Sequence, residues 1–78
     1  MISVRLFAAA REAAGTDHAQ FDCTSVAELH EQMTDRFGAR MPQVLAASSL
    51  LCAGTRLGPA DALPDGSEVD VLPPFAGG

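Results

Sequence analysis

Ser25-Val26-Ala27-Glu28-Leu29-His30-Glu31-Gln32-Met33-Thr34-Asp35-Arg36-Phe37 is the segment whose reading decides the fold class. Ser25 and Glu28 make the S-x-x-E capping box, which predicts a helix starting at Ser25. Val26, Leu29, Met33 and Phe37 recur at offsets of three, seven and eleven and form one apolar helix face, which Gly38 ends. His30, next to Leu29, is predicted to flank that face at the surface.

On either side of this helix the period changes from that of a helix to that of a strand. Ile2, Val4 and Leu6 alternate with Ser3, Arg5 and Phe7, as in a half-buried strand whose aliphatic set faces inward and whose Phe7 faces outward. A register shifted by one residue would bury Phe7 instead. Ala8 to Ala14 are strong helix formers ending at Gly15, a plausible C-cap. Ala19, Phe21 and Cys23 alternate as a second strand, antiparallel to the first. Beyond the main helix, Pro42 opens a short helix through Gln43–Ala47, and Leu50 to Ala53 reads as a strand. Gly54 to Pro59 reads as a turn or irregular edge, and Pro64-Asp65-Gly66 as a turn with proline at its first central position. Glu68 to Leu72 is a last strand with Val69 and Val71 inward and Glu68, Asp70 and Leu72 outward; Pro73-Pro74 must end it. The order predicts an α+β fold: one sheet packed against one main helix. Phe21 and Phe37 are assigned to the core.

Seventy-eight residues, 47% of them apolar, suffice for one small domain and leave little room for a deep catalytic pocket. The chain has no lysine, which excludes Schiff-base chemistry and a Walker-type phosphate loop. Its formal charge of −5 argues against nucleic acid and anionic membranes as partners and favours a basic protein surface. No apolar run approaches the roughly 18 residues a membrane helix needs, and no basic leader precedes an apolar stretch. The chain is therefore expected to be cytoplasmic. Cys23 and Cys52 sit among small or apolar neighbours and are read as buried hydrophobes. His18 and His30 have no partners at metal-ligand spacing, so no metal site is predicted. Ser48-Ser49 lacks a nucleophile elbow, and Gly54 and Gly58 lack what a phosphate loop requires. Nothing supports a self-contained active site.

The chemistry points instead to the end of the sequence, Leu72-Pro73-Pro74-Phe75-Ala76-Gly77-Gly78. Two prolines favour extended geometry of about 3.1 Å per residue, so six residues reach roughly 18 Å from the domain. Gly77 and Gly78 have no Cβ, can enter a channel too narrow for other residues, and leave a carboxylate open to activation. A carboxylate is a poor electrophile, so its use requires a separate nucleotide-dependent enzyme. If the first and last strands are neighbours, Phe7, Leu72 and Phe75 form one apolar patch at the root of this tail, as a docking surface should.

These pieces carry a family resemblance. Leu6-Phe7-Ala8 followed by Arg11-Glu12 and Gly15, then Asp65-Gly66, Glu68-Val69 and Leu72-Pro73-Pro74 with Gly77-Gly78, resemble the ubiquitin-like sulfur-carrier family. Within it the segment from Phe7 to Gly15 resembles the small subunits of molybdopterin synthase rather than thiazole-pathway carriers. The resemblance implies a β-grasp fold over residues 1–72, a mixed sheet with its first and last strands adjacent and parallel, and a flexible Gly-Gly tail over residues 73–78. It implies that an adenylating enzyme resembling the ubiquitin-activating class uses ATP to activate Gly78 and that a sulfur donor protein converts it to a thiocarboxylate. The large synthase subunit would then take the tail and transfer sulfur to a cyclic pyranopterin phosphate, building the dithiolene that holds molybdenum. Gly77 and Gly78 take the tail role, with Gly78 the reacting group. Phe7, Arg11, Leu72 and Phe75 take the partner contacts. No bound cofactor and no catalytic side chain of the chain's own are implied. Leu51-Cys52-Ala53-Gly54-Thr55-Arg56-Leu57 departs from the family's Val-Asn pair followed by a polar residue. A carrier for thiazole, cysteine or another cofactor, a ubiquitin-like protein modifier and a plain interaction domain remain the alternatives.

Overall fold

A computed structural model describes residues 1–73. Five strands and three helices run in the order β1 (Ile2–Leu6), α1 (Ala9–Ala14), β2 (His18–Phe21), α2 (Val26–Phe37), α3 (Met41–Ala47), β3 (Ser49–Cys52), β4 (Thr55–Arg56) and β5 (Glu68–Leu72). The sheet order is β2-β1-β5-β3-β4, so the first and last strands are central neighbours. They pair parallel, Val4 opposite Val69 and Leu6 opposite Val71. Every other pair is antiparallel. This is the mixed sheet of a β-grasp.

The alternation predicted for β1 and β5 is what closes the core. Ile2, Val4, Leu6, Val69 and Val71 are at most 1% exposed and share a cluster with Val26, Leu29 and Met33 of α2 and Met41 and Leu45 of α3. Burying each such side chain contributes about 1.5–3 kcal/mol. Ser25 caps α2, its Oγ accepting from the Glu28 N–H at 3.2 Å. The reciprocal half of the box reaches one residue further back: Glu28 Oε1 accepts from the Thr24 N–H and hydroxyl, at 2.9 and 2.7 Å. Those donors hold the Glu28 carboxyl below its ordinary pKa.

Strand β2 is a sheet edge, and its outward carbonyls, with that of Asp22 just beyond it, are covered by side chains. Thr16 Oγ1 donates to the His18 carbonyl, Arg36 to Gln20 at 2.9 Å and Gln32 to Asp22 at 2.9 Å. Such capping blunts an edge that would otherwise template strand addition. Arg36 also lies over the Phe21 ring, 4.0 Å from its centroid, and Phe37 meets that ring in a T-shaped contact at 6.0 Å.

Several boundaries differ from expectation for local reasons. Helix α1 begins at Ala9 because Ala8 has φ 52°, outside the helical region. β2 stops at Phe21, leaving the buried Cys23 in the loop. α3 starts at Met41, which is fully buried, with Pro42 in its first turn. Phe37 packs against the core only half-buried, at the last position of α2, and Cys52 is half-buried near the sheet edge rather than buried. In the turn before β5, Ser67 N–H donates to the Pro64 carbonyl at 3.1 Å, so proline precedes the central pair, and Gly66 at φ 86° occupies the position that demands positive φ.

The largest difference is at residues 53–56. Ala53 and Gly54, with φ 51° and 80°, form a two-residue hairpin into β4, where the sequence reads as a strand through Ala53 followed by a turn or irregular edge from Gly54. Positive φ at both central positions is the type I′ turn, which favours Asn-Gly; alanine carries a Cβ penalty there. Ala53→Asn is expected to stabilise the fold by about 0.5–1 kcal/mol, raising the melting temperature by about 4 °C in a thermal scan.

His30 is also not the surface residue expected. Its side chain lies half-buried beside Leu45 and Ala46, and its Nε2 is a buried atom that among the described residues finds no partner. Burial pushes its pKa below the ordinary 6.5. Between the folded value and 6.5 the unfolded chain binds more protons, so stability is full above pH 6.5 and falls as the pH drops through that window. His30→Leu is expected to remove this loss, leaving stability level until the carboxylates titrate; urea midpoints at pH 5 and pH 7 check it. A wild-type midpoint unchanged between the two would contradict the burial of a neutral imidazole.

Candidate docking surface at the root of the tail

The parallel β1–β5 pair brings the two ends of the sequence pattern together. Leu6 lies opposite Val71, and the Phe7 N–H donates to the Val71 carbonyl at 3.2 Å, so the ladder continues one residue beyond β1 and sets Phe7 level with Leu72. Because Val4, Leu6, Val69 and Val71 face the helices, Arg5, Phe7, Asp70 and Leu72 face the other way. Phe7 is 39% exposed, outside the core as the unshifted register predicts. Leu72 is half-buried and pairs with Ser49, while Leu51 of β3 pairs with Asp70 on the same outer face.

The chain leaves the sheet immediately after Phe7. The Ala10 N–H donates to the Phe7 carbonyl at 3.1 Å across a turn whose first central residue, Ala8, has φ 52° and ψ −124°. That is the geometry of a type II′ turn, which favours glycine. An alanine held there costs about 1–2 kcal/mol of local strain. The turn makes Phe7 the last residue on the outer face and starts α1, which carries Arg11.

Arg5 and Asp70, on neighbouring strands, form a bidentate pair with Nε–Oδ1 at 2.7 Å and Nη2–Oδ2 at 2.9 Å. The Arg5 guanidinium also lies 5.9 Å from the Phe7 ring centroid, within cation–π range. The pair is exposed, so its weight lies in orientation more than in stability. Arg11 is exposed and lines a groove of about 380 Å³ with Phe7, Arg5, Leu6, Asp17 and His18. There the His18 ring, 2.7 Å from the Asp17 carboxylate, lowers the pKa of Asp17.

The register thus sets Phe7 level with Leu72, where the chain passes into Pro73, and Arg11 lines one groove with Phe7. Phe75, Gly77 and Gly78 lie outside the described residues. Arg5, Leu51 and Asp70 join this face although none was a candidate; the strand alternation turns Arg5 and Asp70 outward, but their pairing needs the β1–β5 register. Among the described residues no group of three His, Cys, Asp or Glu side chains could hold a metal ion, and no helix is long and apolar enough to cross a membrane. Burial raises the pKa of the Cys23 thiol, which disfavours a thiolate nucleophile there.

Comparison with known proteins adds three observations. The model of a family described as the ThiS family matches residues 4–78. No curated protein matches the chain. Among solved structures, the small archaeal modifier protein 1 of Methanosarcina acetivorans is 26% identical, with 99% of this chain and 95% of that one covered and a TM-score of 0.83. A Pyrococcus furiosus protein described as molybdopterin converting factor, subunit 1, is 24% identical over 95% of this chain and 97% of its own, with a TM-score of 0.82. Small archaeal modifier protein 1 of Haloferax volcanii is 22% identical over 99% and 98%, at 0.76. The last two show the fold.

Proposed function

This chain belongs to the ThiS family of ubiquitin-like sulfur carriers, and from that membership we propose that it carries sulfur as a thiocarboxylate on Gly78, as the small subunit of a molybdopterin synthase. The observation that carries the proposal is that the β1–β5 register, carried on by the Phe7 N–H bond to the Val71 carbonyl, sets Phe7 level with Leu72 at the start of the Leu72-Pro73-Pro74-Phe75-Ala76-Gly77-Gly78 segment. An exposed aromatic beside a glycine-ended tail supplies both a grip and a reactive end.

The chain contributes no catalytic side chain. In the adenylating enzyme a Gly78 carboxylate oxygen attacks the α-phosphorus of ATP and pyrophosphate leaves. Sulfur delivered at the sulfide level by a donor protein then displaces AMP from the acyl carbon. The large subunit grips Phe7, Arg11, Leu72 and Phe75, takes in the tail and transfers the sulfur to a cyclic pyranopterin phosphate. ATP is bound by the activating enzyme and not by this chain, and the reactions take place in the cytoplasm.

Intact-mass measurement before and after incubation with ATP, adenylating enzyme and a sulfur source tests the carrier step. A gain of about 16 Da on the C-terminal peptide, sulfur for oxygen, is expected. Failure to gain it with adenylation intact would refute the thiocarboxylate. Formation of the dithiolene product with the large subunit separates this pathway from thiazole or cysteine synthesis.

A second reading is favoured by the 26% identity to the small archaeal modifier protein 1 of Methanosarcina acetivorans. Under it the activated Gly78 forms amide bonds with lysines of other proteins. Higher-mass conjugates that vanish on deletion of Gly78 would establish it.

A further inference from the structure

We propose that the groove between α1 and α3 is a second wall of the docking surface and receives an acidic, apolar-tipped segment of the enzyme that adenylates Gly78. The inference rests on the carrier reading above and adds the chemistry of its partner. The groove holds about 330 Å³; its lining includes Ala9 and Ala10 of α1, Val44 and Ala47 of α3 and Pro73, with Arg40, Gln43 and Ser48 as its polar members. Small side chains leave the depression, and Pro73, where the tail begins, forms part of it.

The length of the tail keeps the activating enzyme close to this groove. Five residues follow Pro73 to Gly78. At no more than about 3.6 Å per residue, Gly78 lies within about 18 Å of Pro73. An enzyme that closes around Gly78 must therefore bring the mouth of its channel within that distance of Pro73, near the surface that the tail leaves. Helix α1 contributes to two grooves there: Arg11 lines one with Phe7, and Ala9 and Ala10 line the other with Pro73.

Charge gives the partner's sign. The chain as a whole is at −5, yet the charged residue lining the Pro73 groove is Arg40. Arg11 lines the Phe7 groove, where Arg5 is already paired with Asp70. Among the described residues neither Arg11 nor Arg40 forms an ion pair. Glu12 lies on α1 but lines neither groove. Asp17 offsets Arg11 in the Phe7 groove, so the local positive charge is that of Arg40; a carboxylate at the channel mouth would complement it, while the alanines accept an apolar side chain.

The test uses the full chain with the adenylating enzyme and ATP, following pyrophosphate release against carrier concentration. Arg40→Glu probes charge and Ala47→Gln, neutral and compatible with the helix, probes shape; both positions are exposed. Each is expected to raise KM for the carrier about tenfold or more with kcat little changed, and Arg40→Glu to reduce its salt dependence. Glu31→Arg on α2 should leave KM unaltered. Wild-type KM in both groove variants, with Phe7→Ala impaired, would overturn the groove while sparing the carrier reading. A wild-type chain that is not adenylated at all would overturn both.

Discussion

Deleting Gly78, or adding one residue after it, is expected to abolish sulfur transfer while leaving the thermal unfolding midpoint unchanged. The reacting atom is a carboxylate carbon whose position inside an active site is set by chain length from the docking surface. One added residue displaces it by about 3.3–3.6 Å, and a misplacement of about 1 Å can already cost a hundredfold in rate. A side chain other than hydrogen at the last positions would add a steric barrier to entry. Stability should be indifferent, because the buried core of the described residues closes with Val71. Transfer assays with the large subunit, alongside a thermal scan of each variant, check both halves. Unaltered transfer in the deletion variant would sink the carrier mechanism. Loss of transfer with a lowered melting temperature would mean that the end of the chain contributes to folding.

The sheet's inner face was legible in the sequence because period-2 alternation is a strong signal wherever one face is buried: Val4, Leu6, Val69 and Val71 fell where expected. The α2 face was equally clear from Val26, Leu29 and Met33. What escaped was set by backbone conformation or tertiary context. Nothing in Cys52-Ala53-Gly54-Thr55 announces a type I′ hairpin when alanine stands where asparagine would be favoured, so β4 was invisible. His30 is half-buried because α3 folds back against α2, bringing Leu45 and Ala46 over it, a packing that no single-helix periodicity contains. At the docking surface the pattern placed Phe7 and Leu72 outward, but only the family resemblance made their strands neighbours. The Arg5–Asp70 pair required that neighbour relation at residue-level register.

Phe7→Ala is expected to weaken binding to the large synthase subunit by about 1–3 kcal/mol, or roughly 5- to 150-fold in Kd, with little change in stability. Three features of the structure argue for an effect at binding rather than folding. The ring is 39% exposed on the face turned away from the helices, so its removal leaves no cavity in the core. Its backbone is fixed by the bond to Val71 on one side and by the turn at Ala8 on the other, neither of which needs the ring. Its side chain is oriented before any partner arrives, with the Arg5 guanidinium held over it by Asp70. A pre-oriented aromatic loses little rotamer freedom on docking, which is what makes such a residue an anchor. Titration calorimetry against the large subunit, with urea unfolding as the control, separates the two effects. Unchanged affinity would move the grip away from this face, and a large loss of stability would require Phe7 to bury more surface in the core than its exposure allows. The same measurement on Asp70→Asn distinguishes the ring from its support: a smaller loss of affinity at unaltered stability would trace to the freed Arg5, since Asp70 stands one strand away from the ring it helps to hold.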